Sequence, residues 1–138
     1  MFKFFKKQHQ INKGNKARNT QTYAICLMIE VARMDGIVKP EEINEIKKRV
    51  QKLLPSEDAN SVFERMLEIS KEETSMHPFI KQINADFDQQ AKINLMEDIW
   101  LLIKSDNEID PYEESLFYKI GDLLKIRRSL LNQIKSKV

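Results

Sequence analysis

The stretch EVARMDGIVKPEEINEIKKRVQKLL, residues 30–54, decides how this chain reads. Its first residues close an apolar run that begins near Tyr23, and Asp35-Gly36 then breaks that run, glycine supplying the left-handed conformation that ends a helix cheaply. Pro40 follows at the preferred first position of a new helix, and Ile43, Ile46, Val50, Leu53 and Leu54 mark its buried stripe. The pattern returns as IWLLIKSDNEIDPYEESLFYKIGDLL, residues 99–124. At one constant offset Asp35 falls on Asp106, Val38 on Ile109, Pro40 on Pro111, Glu42 on Glu113 and Leu53 on Leu124. A helix, an acidic turn and a second helix opening on Pro and Glu therefore occur twice.

Working outward, helical periodicity dominates from about Thr20 and strand-like alternation is absent. Tyr23 to Arg33 is apolar over most of its circumference, as expected of a helix at a bundle centre. Pro55 ends the helix that Pro40 starts. A third run carries Val62, Phe63, Met66, Leu67 and Ile69, and His77-Pro78 reads as a turn into a short helix containing Ile83. Asp88 is a fitting N-cap for a long helix through Ile103. Asp110, Pro111 and Glu113 form the start signature of the next, and Leu130, Leu131 and Ile134 mark a short last helix with a frayed end. The expectation is an all-α fold: a single compact bundle of about seven helices with an internal pseudo-twofold repeat. Residues 20–138 make up the domain, and residues 1–19 read as a flexible basic and aromatic arm.

At 138 residues the chain can bury a core without disulfides or a structural metal. No apolar run approaches the roughly 20 residues that span a bilayer. The start of the chain lacks a secretory pattern, and the single Cys26 lies in an apolar stretch, both of which point to a cytoplasmic protein. Net charge is +2, but residues 1–29 carry +6 and residues 125–138 carry +5, leaving −9 on residues 30–124. An acidic body repels phosphate backbones and argues against nucleic acid as a partner.

Each acidic turn admits two readings. Asp-Gly-x-Val-x-x-x-Glu is the latter half of a calcium-binding EF-hand loop. The earlier half is missing, because its first and third ligand positions would be Val31 and Arg33, or Leu102 and Lys104. Neither copy is a self-sufficient EF-hand. If the symmetry brings the turns together, Asp35, Glu42, Asp106 and Glu113 make an oxygen-only site suited to calcium or magnesium, with Glu30, Glu108 and Asp110 as additional candidates. The competing reading needs no cation: acids at a helix start satisfy free backbone amides and the helix dipole, each for about 0.3 to 1 kcal/mol. Glu30 stands within an apolar run and, if buried, needs a partner, Arg33 being the nearest candidate.

Catalytic machinery is not legible. His9 and His77 lie in unrelated contexts, no Cys or His pair has zinc spacing, and the chain has only Gly14, Gly36 and Gly121 from which to build a phosphate loop. No nucleophile motif occurs, so a non-enzymatic protein with no catalytic residues is expected. In the arm, Phe2, Phe4 and Phe5 alternate with Lys3, Lys6 and Lys7. That composition suits weak contact with an anionic membrane surface, peripheral to the inner membrane, or packing of the rings back on the bundle.

EVARMDG, followed by DNEIDPYEE and IGDLLKI, resembles the TerB-like tellurite-resistance family, itself related to the N-terminal domain of the DjlA membrane co-chaperone. The resemblance covers roughly residues 20–138. It implies a compact helical bundle with an acidic surface of divalent-metal-binding type, working with protein partners in a bacterial stress-response assembly, and no catalytic reaction. Its first motif lands on Glu30, Asp35, Gly36 and Glu42. The second, usually Ala-Asp-Gly, is Ser105-Asp106-Asn107 here, followed by Ile109 and Glu113. Asn tolerates the left-handed conformation better than most residues, so the turn survives the change. Lys104 beside the second cluster lowers cation affinity there or neutralises the turn. The alternative to a cation-binding module is a metal-free acidic interaction domain.

Overall fold

The computed structural model describes residues 16–34, 37–72, 75–105, 107 and 109–137, residues 16–20 by backbone alone. Among the described residues there are seven helices and no strand: α1 Lys16–Ala32, α2 Pro40–Leu53, α3 Ala59–Glu72, α4 His77–Asp86, α5 Gln89–Lys104, α6 Pro111–Leu123 and α7 Arg128–Lys137. No described helix is long and apolar enough to cross a membrane.

α1 is the central rod. Tyr23 to Ile29, then Val31 and Ala32, are all buried, and a helix apolar all round is stable only when neighbours surround it. It packs on α2, α3, α4 and α5. α5 is the second hub, burying Leu95, Met96, Ile99, Trp100, Leu102 and Ile103 against α1, α2, α6 and α7. The two helices that precede the acidic turns are thus the two around which the bundle is built. An ion pair joins α2 to α5: the buried Arg49 meets Asp98, and its guanidinium also donates to the carbonyl of Asn94 at 3.4 Å.

Helix starts follow local chemistry. Asp58 and Asp88 accept the amides of Ser61 and Ala91 at 3.0 and 2.8 Å and so begin α3 and α5. α1 starts at Lys16, inside the stretch read from sequence as an arm, while residues 1–15 and the aromatic-basic motif lie outside the described residues. Pro78 belongs to the first turn of α4, where a missing amide proton has no consequence, rather than to a turn before it. α7 is a regular ten-residue helix that buries Leu131 and Ile134. It seats closely because Gly121 has no side chain: a Cβ there would stand 2.5 Å from Leu131 Cδ1.

Candidate functional site

The two turns are built by different capping chemistry. At the first, Lys39 is the N-cap of α2, and its amide donates at 2.9 Å to Oε1 of Glu42, which is only 5% exposed. Glu42 therefore acts as the reaching-back half of a capping box. At the second, the equivalent N-cap is Asp110, whose Oδ1 accepts the Tyr112 amide at 2.8 Å. Glu113 sits half-buried in the first turn of α6. Asn107 has φ 65°, the left-handed conformation expected of an asparagine standing where glycine is usual. Asp35, Asp106 and Glu108 lie outside the described residues. Among the described residues no three His, Cys, Asp or Glu side chains gather as metal ligands. Glu42, Asp110 and Glu113 do not make a cation centre by themselves, and a shared one depends on Asp35 and Asp106.

Glu30 is buried, with Arg33 Nη1 3.6 Å from its Oε1, the partner that i,i+3 spacing indicates. The closer partner comes from α3. Ser70, fully buried, donates its hydroxyl to Glu30 Oε1 at 2.6 Å and accepts from Arg33 Nη1 at 3.0 Å. Arginine, serine and glutamate thus form a relay in which the hydroxyl bridges two charges. Nothing local marked Ser70 in advance, because it lies 40 residues from Glu30 and only the packing of α3 on α1 brings it there.

A groove of about 530 Å³ opens beside this relay. Glu30 and Met34 of the α1 end form one wall, and Ser75, Met76 and His77 form a second at the start of α4. The third wall is α6, which presents Tyr112, Ser115, Leu116, Lys119 and Leu123, positions that share one helical face. The groove exists because α6 packs chiefly on α5 and α7 rather than on α1 or α4. At its far end Asn84 Nδ2 of α4 donates to the Leu123 carbonyl at 3.0 Å and ties α4 to α6. Met34 at 43%, Tyr112 at 59% and Leu123 at 37% are among the most exposed large apolar side chains described, and all three line the groove. Met34 directly precedes Asp35 and Tyr112 follows Asp110 by two residues, so the ends of both acidic turns border one groove.

The outer side of α6 is strapped by α7. Lys135 Nζ donates to Glu114 Oε2 at 2.9 Å and to the Tyr118 hydroxyl at 3.1 Å, and lies 5.4 Å from the Trp100 ring centroid. The Glu114 bond, then the Tyr118 bond, raises the Lys135 ammonium above its ordinary pKa. Arg128 Nη2 pairs with Asp122 at 3.2 Å and its guanidinium stacks 4.4 Å from the Tyr118 centroid. These contacts hold the groove's third wall from behind.

Compared with known proteins, residues 21–136 match the family model described as Tellurite resistance protein TerB. No curated protein and no solved structure matches the chain.

Proposed function

Since the chain belongs to the TerB tellurite resistance protein family, we propose that it is a non-enzymatic, cytoplasmic stress-response module. In this reading it docks a partner protein at the groove between its two acidic turns, and those turns bind a divalent cation. The observation that carries the reading is the shared border of the groove: Met34 at the first turn and Tyr112 at the second face the same space. Asp35, Glu42, Asp106 and Glu113 would supply the hard oxygen ligands that calcium or magnesium prefers. A cation held there would fix the end of α1 relative to the start of α6, and with them the width of the groove.

The metal-free reading has its own support. Glu42 and Asp110 already accept backbone amides, the work expected of acids at helix starts. On this view the acidic rim docks a basic partner directly.

Thermal unfolding of chelator-treated protein, with and without millimolar calcium, magnesium or manganese, separates the two. A cation at about 100 times its dissociation constant adds about 2.7 kcal/mol of stability. The informative variants are Asp35→Asn/Glu42→Gln and Asp106→Asn/Glu113→Gln, because glutamine keeps an acceptor for the Lys39 amide while removing the charge. Stabilisation in the wild type that disappears in both variants supports the cation site. No shift with any cation sinks it and leaves the metal-free docking surface.

A further inference from the structure

The groove has a chemical direction. Its turn end carries Glu30 in the wall, with Asp110 and Glu113 flanking Tyr112 in the chain and Glu72 ending α3 close before Ser75. Its body is apolar, formed by Met34, Met76, Tyr112, Leu116 and Leu123. Lys119 on α6 adds one ammonium group to the lining, and Arg33, next to the groove, is engaged with Ser70 and Glu30. Both described bonds of Glu30 use Oε1, so among the described residues its Oε2 has no partner. An occupant matching this surface has adjacent large apolar side chains for the groove body and an ammonium group for its Glu30 end.

Residues 2–7, Phe-Lys-Phe-Phe-Lys-Lys, have that composition. They also have the reach. Nine residues from Lys7 to Lys16 span up to about 30 Å when extended. The rise of α1 from Lys16 to Glu30 is about 21 Å.

We propose that the chain's own residues 2–7 dock in the groove between α1, α4 and α6, with phenylalanine rings on Met34, Met76 and Tyr112 and a lysine at Glu30. The proposal rests on the reading of this groove as a docking surface. It makes the arm an internal competitor that a partner must displace.

The test uses the full chain labelled at its methionine methyl groups, with Phe2→Ser/Phe4→Ser/Phe5→Ser and Glu30→Gln variants. Ring currents from docked phenylalanines act on Met34 and Met76, so their methyl resonances should move in the triple variant and move the same way in Glu30→Gln. Those of Met28, Met66 and Met96, buried in the core, should stay in place. Unmoved Met34 and Met76 methyl groups in the triple variant overturn the proposal. Wild-type shifts that revert on dilution overturn docking within one chain in favour of a second copy. If the methyl groups stay put while the triple variant loses co-sedimentation with phosphatidylcholine/phosphatidylserine vesicles, the arm is a membrane element and the proposal also falls. Cation-dependent melting of the triple variant, read beside these spectra, reports on the acidic turns alone, so the two readings fail separately.

Discussion

Replacing Ser70 with alanine removes the bridging hydroxyl from the relay beside the groove, and the structure sets the size of the effect. The hydroxyl donates to Glu30 Oε1 at 2.6 Å and accepts from Arg33 at 3.0 Å, while the direct Arg33 to Glu30 separation is 3.6 Å, longer than a good charged hydrogen bond. The two partners then fare differently. Arg33 has a side chain 31% exposed and recovers water, but that of Glu30 is 11% exposed and does not. The loss is therefore dominated by one charged hydrogen bond, about 1.5 to 3 kcal/mol. For a chain of 138 residues the unfolding entropy is about 0.29 kcal/mol/K, so the melting temperature should fall by about 5 to 10 °C. Urea unfolding followed by far-ultraviolet circular dichroism measures the same quantity independently. A Glu30→Met/Ser70→Ala double variant removes both ends of the bond and should be less destabilised than the two single variants together, by about 1 kcal/mol or more. Ser70→Ala within about 0.5 kcal/mol of wild type, or strict additivity in the cycle, would refute the relay.

Three further outcomes are expected. Gly121→Ala should destabilise by up to about 2 kcal/mol, because overpacking against the buried Leu131 outweighs the gain in helix propensity, and adding Leu131→Ala should convert that alanine from unfavourable to favourable in a urea-unfolding cycle. Lys135→Met should loosen α7, detected as faster amide exchange in residues 128–137 with α1 unchanged. The wild-type contact should itself weaken at high pH: a raised folded-state pKa gives a contribution present below the ordinary lysine value and lost as pH rises through the folded one. Burial raises the Tyr23 hydroxyl from 10.0 to about 12, and the nearby Asp86 adds to the shift, so folding favours the protonated phenol. Stability relative to Tyr23→Phe should then decline between pH 10 and about 12, and a constant difference across that window in urea unfolding would contradict the assignment.

What could be read from the sequence was whatever depends on neighbours within a turn or two of helix. The apolar circumference of residues 23–33 marked α1 as the central rod, Asp110-Pro111 marked the start of α6, and i,i+3 spacing put Arg33 beside Glu30. Even the conformation of Asn107 followed from one backbone preference. Capping was legible as a class of interaction, but which acid caps which amide was not. Asp110 caps from its own position while Glu42 reaches back from the third residue, because Lys39 at the matching N-cap has no acceptor to offer.

Contacts between distant segments belonged to the tertiary structure alone. Ser70 has no local signal for its role, since a serine near the end of an amphipathic helix is ordinary until α3 lies across α1 and places its hydroxyl against a buried carboxylate. Arg49 reads as one cation among several on α2, and its burial follows from Asp98 on α5. The groove is the clearest case. Met34, Met76 and Tyr112 come from three helix ends, and periodicity predicts that each helix buries one face without saying where two faces fail to meet. The space arises because α6 packs chiefly on α5 and α7, while Asn84 ties it to α4 at the far end of the groove. Short-range chemistry thus determined the helices and the two acidic turns, and three-dimensional packing decided that the turns border one groove.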